Sequence, residues 1–129
     1  MKVERGVATV ASAHPYAETV QRLQDAFRAR GIKVFATIDQ QAEARAAGLE
    51  MPPMTLIVFG NPKAGTPLMQ ARPESGLDLP LKVLVSEAQP GRVSVSYNTA
   101  AYIVERHALP PQLAANLAPA EQLVAGAVA

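Results

Sequence analysis

"LKVLVSEAQPGRVSVSYN", residues Leu81 to Asn98, is the stretch whose reading decides the fold. An apolar run from about Leu81 to Glu87 meets the turn "AQPG" and resumes as "RVSVSYN". There Val93, Val95 and Tyr97 alternate with Ser94 and Ser96, the period of a strand with one buried and one wet face. Strands joined by so short a turn run antiparallel, because a parallel pair needs a long crossover. Lys82, between Leu81 and Val83, must reach solvent or pair with an acid.

Working outward, Val7 to Ser12 reads as a first strand. The clearest helix follows, with Pro15 in its first turn, Tyr16, Val20, Leu23 and Phe27 at helical spacing, and Gly31 as its stop. "IKVFATID" is a strand with Ile32, Val34, Ala36 and Ile38 on one face, and "QQAEARAAG" a short helix closed by Gly48. Met54 to Phe59 is nearly all apolar, which predicts a central strand covered on both faces. Thr66-Pro67 reads as a helix start, and "PLMQAR" as a short helix ended by Pro73. "TAAYIVERHAL" is a helix capped by Thr99, and the Ala-rich tail "PAEQLVAGAVA" a last one. The order is β-α-β-α-β-α-β-β-α, and the class is α+β: an antiparallel-containing sheet with helices packed on it.

At 129 residues the chain fits one domain. Aromatics are 5 % and tryptophan is absent, so the core must be aliphatic. Twelve basic and eleven acidic residues give a net charge of +1 with no basic stripe, which argues against nucleic acid. The absence of cysteine excludes disulfides, thiolate metal sites and cysteine nucleophiles. "MKVERGVATVASA" faintly imitates a signal peptide, but its valines read better as a strand. No run approaches the ~18 apolar residues of a membrane span. The expected setting is cytoplasmic, without a membrane partner.

Chemistry is sought first in "FGNPKAGTP", Phe59 to Pro67. Gly60 and Gly65 have the spacing of a nucleotide phosphate loop, but Thr66 stands where that loop needs its lysine, and Pro62 and Pro67 each remove an N–H donor. A weaker anion site remains: Lys63 beside free N–H groups at Leu68 and Met69, if a helix begins at Thr66. The plain alternative is a turn shaped by glycines and prolines, with Lys63 in water. His14 reads as a cap or a solvated side chain, and His107 as a helix C-terminal histidine favoured by the dipole. Asp39 reads first as a helix cap. Two distant histidines make a poor metal site, and no metal or other cofactor is expected.

Across "FATID", "PPMTLIVFGNPKAGTPLMQ", "LDLPLKVLV" and "SYNTAAYIVERHAL" the chain resembles the bacterial and archaeal family catalogued as domain of unknown function 302. The similarity is read from the first strand to about Leu109, with an Ala-rich extension from about 111 outside it. The resemblance implies a β-α-β(4)-α domain of the TATA-binding-protein-like class, often dimeric, with no established activity. Members often have Asp-His where this chain has Asp39-Gln40, and glutamine neither titrates nor binds metals well. Asp39, Asn61, Lys63, Gly65, Thr66, Lys82, Tyr97, Asn98 and His107 stand at family-like positions and form the candidate ligand-binding set.

Three functions follow in order of preference. The first is a module binding a small anion or polar metabolite through loop 60–66. The second is a homodimeric scaffold, suggested by an apolar tail with helical surface left over. The third is an enzyme using Asp39 or His107 as acid or base.

Overall fold

The computed structural model describes residues 1–129. Six strands form one sheet: β1 (Lys2–Glu4), β2 (Val7–Ala11), β3 (Lys33–Asp39), β4 (Met54–Gly60), β5 (Leu81–Gln89) and β6 (Arg92–Asn98). Their order is β1-β2-β6-β5-β4-β3 and every pair is antiparallel. Five helices accompany them: α1 (Tyr16–Ala29), α2 (Gln40–Ala46), α3 (Pro62–Ala71), α4 (Ala100–Arg106) and α5 (Ala114–Val128). The class is therefore α+β, and the β5–β6 hairpin is the antiparallel pair its sequence requires. Setting aside the short helices α2 and α3, β2 to α4 follows β-α-β(4)-α; β1 is a strand the sequence did not disclose.

Helices α1 and α5 cover one face of the sheet. Leu23 and Phe27 of α1 and Val124, Ala127 and Val128 of α5 close over Ile57, Phe59, Val83, Val85, Val93 and Val95. Phe27 and Phe59 stack at 3.9 Å between ring centroids, with 13° between their planes. A second cluster joins Leu68 of α3 to Ala100, Ile103 and Val104 of α4, and to Leu117 of α5. The tail expected to leave apolar surface over is thus part of the core. Its end is also bonded to the segment before α1 and to α1 itself: Ala13 N–H donates to the Val128 carbonyl at 2.9 Å, and Arg22 Nε to the Ala127 carbonyl at 2.7 Å.

Two expectations about strands fail. In β4, Thr55, Ile57 and Phe59 are buried while Leu56 and Val58 are only half-buried, so one face lacks a helical cover. In β3 the register shifts between Val34 and Ala36, opposite Phe59 and Val58. The bulge sends Val34 to the covered face and Ala36 and Ile38 to the open one, instead of one shared face.

Candidate functional site

The stretch expected to be a loop is mostly helix. Asn61, in extended conformation, is the N-cap of α3 and its side chain accepts the Lys63 N–H at 3.0 Å. Pro62 takes the first helical position, where its fixed φ suits the helix and no donor is lost. Ala64 and Gly65 N–H groups bond to the Asn61 carbonyl at 2.9 and 3.0 Å. Thr66 is therefore not a cap, and Pro67 lies inside the helix. Leu68 and Met69 sit past the first turn, so their N–H groups are not the free donors the sequence reading required. Asn-Pro has outcompeted Thr-Pro as the start signal: both pairs carry the chemistry, and only the earlier one follows the strand directly.

What the first turn of α3 does is wall a cavity of about 430 Å³. Strand β4 ends at Gly60, where a Cβ would lie 3.3 Å from Pro80 Cβ and 3.7 Å from Phe35 Cε2. The missing side chain lets Phe35 and Pro80, the latter behind a cis peptide bond, converge over the strand end. Ile32, Phe59, Leu79 and Leu81 form apolar walls. Met69 of α3 and Leu117, Pro119 and Ala120 of α5 close the far side. Asn116 ties the two helices together by donating from Nδ2 to the Ala64 carbonyl at 3.1 Å. The lining is chiefly apolar, with Asn61, Thr66 and Asn116 as its polar side chains and no carboxylate. Concave, apolar and sparsely polar is the usual character of a small-molecule site.

The predicted residues divide. Asn61, Gly65 and Thr66 line the cavity, and Lys63 is exposed on the same turn. Lys82, Tyr97 and Asn98 share a neighbouring cleft of only about 10 Å³ that also touches Phe59, Leu81, Leu117 and Ala120. Lys82 reaches solvent, as expected, and Nζ donates to the Pro80 carbonyl at 3.2 Å. Tyr97 is half-buried, and burial, then the charge of Glu121, pushes its hydroxyl above the usual phenol value of 10.0. Asp39 is elsewhere: it pairs with Thr55 at the other end of β4, and its carboxylate accepts the Ala42 N–H at 2.9 Å as the N-cap of α2. His107 is the C-cap of α4, with Nε2 2.5 Å from Asp78 Oδ2. Arg106 Nη1 donates to both oxygens of the same carboxylate, at 3.0 and 2.9 Å. That cluster fastens the segment before β5 to the end of α4. His14 neither caps α1 nor stands free; its Nε2 lies 2.8 Å from the Ala129 carbonyl.

Phe35, Leu79, Pro80 and the α5 residues escaped the sequence reading. Phe35 sits in a bulge, which no period reveals, and α5 enters the site from far along the chain. The pairing of a strand-ending glycine with Asn-Pro was the one available signal.

The far end of β4 is polar. The Tyr16 and Thr55 hydroxyls are hydrogen-bonded, and Glu87 accepts the Gly91 N–H at 2.9 Å. Burial raises the Tyr16 hydroxyl above 10.0; the bond to Thr55 works against that, and the charges of Asp39 and Glu87 add to it. No group of three or more His, Cys, Asp or Glu side chains is placed to hold a metal ion.

The family model described as Domain of unknown function DUF302 matches residues 8–126. The chain belongs to that family. The matched span includes most of α5, so the helix expected to lie outside the resemblance is part of the DUF302 domain. A crystal structure of an uncharacterized conserved DUF302 protein from Bacillus stearothermophilus superposes with a TM-score of 0.80 at 21 % identity, over 95 % of each chain. That likeness bears on the fold. Among curated proteins the chain is 42 % identical over 107 residues to the fluoride-specific ion channel FluC 1 of Brucella suis, covering 83 % of this chain and 42 % of that protein. Equal identity is found with FluC 1 of Brucella abortus and FluC 2 of Brucella melitensis, over 40 % of each. The DUF302 domain thus spans about two-fifths of the curated relatives it matches. No helix in it is long and apolar enough to cross a membrane.

Proposed function

We propose that this DUF302 domain is a small-ligand-binding module whose site is the cavity between the end of β4, α3 and α5. The observation that carries the reading is the cavity itself: about 430 Å³ of space walled mainly by apolar side chains in an otherwise packed domain. Its position revises the ligand-binding set. Asn61, Gly65 and Thr66 remain at the site, Lys63 and Lys82 stand beside it, and Asp39 and His107 serve the architecture. An acid–base role for either of the last two ranks behind ligand binding, since each is engaged in holding a helix end. Mass spectrometry of gently denatured protein tests the reading, with a co-purifying small molecule as the expected result. A thermal-shift screen in which no compound raises the melting temperature would oppose it, because a ligand bound only to the folded state stabilises by mass action.

A second reading is favoured by the FluC relatives. A stretch similar to this domain forms part of proteins named fluoride-specific ion channels, and the domain supplies no membrane-crossing helix. We propose that it can serve as an accessory to such a channel, in the cytoplasm. Co-purification with a FluC channel from detergent-solubilised membranes is the expected outcome, and failure of the two to associate when co-expressed would count against it. Homodimerisation is retained as a proposal on new ground. The apolar tail is buried within one chain, whereas the uncovered sheet face carries half-buried Ile38, Leu56, Val58 and Leu84. Light scattering at micromolar concentration should give twice the 13.6 kDa chain mass; a mass of 13.6 kDa would remove the proposal.

A further inference from the structure

We propose that the cavity takes the apolar tail of a monocarboxylate, and that lysine ammonium groups at its mouth hold the charged end. This rests on reading the cavity as a ligand site. Two lysines contact residues of its wall through Nζ, and a third, exposed one stands between wall residues in sequence. Lys33 places Nζ 5.0 Å from the ring centroid of Phe35, and Phe35 lines the cavity. Lys82 bonds through Nζ to the carbonyl of Pro80, another wall residue. Lys63 follows Pro62 and precedes Ala64, both in the wall. No carboxylate lines the space, and none of these three lysines has an acidic partner within ion-pair distance. Uncompensated cations next to a low-dielectric cavity create a positive field that draws anions toward it.

The interior fixes the rest of the ligand. Phe35, Phe59, Leu79, Leu81, Met69 and Leu117 offer an aliphatic and aromatic enclosure that gains free energy only by displacing water from apolar surface. A small inorganic anion would leave that surface wet. A phosphate group also wants several fixed N–H donors, and the first turn of α3 has committed its own to Asn61. A carboxylate needs fewer fixed partners and is served by mobile ammonium groups. The two halves of the site therefore specify an amphipathic acid: a single carboxylate on an aliphatic or arylalkyl body.

Octanoate, 1-octanol and acetate separate the contributions when titrated into the full chain by calorimetry. Octanoate should bind at least tenfold more tightly than either of the others, and added salt should weaken octanoate but not octanol. The Lys33→Gln/Lys63→Gln/Lys82→Gln triple variant should lose at least tenfold in octanoate affinity and keep its octanol affinity. Gly65→Leu should abolish binding of both. Gly65 lies in a helix, its added Cβ would meet only Leu79 Cδ1 at 3.9 Å, and the longer side chain would occupy the cavity without straining the backbone. Equal affinities for octanoate and octanol would overturn the carboxylate assignment and leave the cavity reading standing. Acetate matching octanoate would overturn the role of the tail. No binding of any probe, or octanoate binding unchanged in Gly65→Leu, would overturn both the inference and the site it rests on.

Discussion

The two ends of β4 are built from one strand and behave oppositely. At the Thr55 end a tyrosine hydroxyl reaches in from α1, a threonine answers it, and carboxylates of Asp39 and Glu87 stand near. Side chains fill that end and hydrogen bonds close it. At the Gly60 end the strand stops on a residue without a side chain, and the groups that converge there are apolar. Their walls meet helices instead of one another, and space remains. A polar end can be sealed by a few directional bonds, whereas an apolar end is sealed only by volume. The bare Gly60 lets Phe35 and Pro80 close in over the strand end, and the space remains between them and the helices.

That contrast is open to breakage. Phe59→Ala removes a buried ring that stacks on Phe27 and forms part of the cavity wall. Urea denaturation should show a loss of about 3–5 kcal/mol. A loss under about 1 kcal/mol would mean that the apolar end relaxes to fill space as readily as the polar end, contrary to the stated difference.

Tyr16→Phe probes the sealed end and should cost about 1 kcal/mol near neutral pH through the bond to Thr55. Its pH dependence has a definite sign. The folded-state hydroxyl titrates above 10.0, so the folded state resists losing that proton more than the unfolded chain does. The associated stability is fully present below pH 10.0 and is lost as pH rises through the higher folded value. Tyr16→Phe should flatten this alkaline decline in chemical denaturation followed from pH 8 upward, about two units below the ordinary phenol value. Parallel declines in variant and parent would leave Tyr16 without that role. Tyr97→Phe should flatten it too, by the same sign.

Both ends also carry a helix cap, and there the comparison is sharpened by symmetry. Asn61→Ala and Asp39→Ala should each cost about 1 kcal/mol, because each side chain satisfies a first-turn N–H. Thr66→Ala, inside α3, should stay within about 0.5 kcal/mol, as should the exposed Lys63→Ala. Thermal unfolding of the four variants checks the order. A Thr66 effect as large as that of Asn61 would restore the helix start to Thr66.

Much of the fold was written in local pattern. The β5–β6 hairpin, the stripe of α1, Asp39 as cap and Gly48 as the left-handed stop of α2 depend on neighbours within a few residues, and the structure has them. The failures have one cause in common. Whether Met54–Phe59 is covered on both faces depends on where helices dock, and Phe35 escapes alternation because of a bulge. Asn-Pro and Thr-Pro are equally good starts until the end of the strand chooses between them. The candidate site was half legible for the same reason: its α3 wall is local, while Phe35, Pro80 and α5 are brought by tertiary packing.

The burial of α5 also bears on how the domain is made. Val124, Ala127 and Val128 complete the core against Leu23 and Phe27, yet they lie C-terminal to the sheet and the helix that they cover. While the ribosome still holds them, the nascent sheet and α1 exist with their inner surfaces uncovered. A chain stalled after α4 should therefore be a chaperone client, and closure of the core should wait until α5 has cleared the exit tunnel.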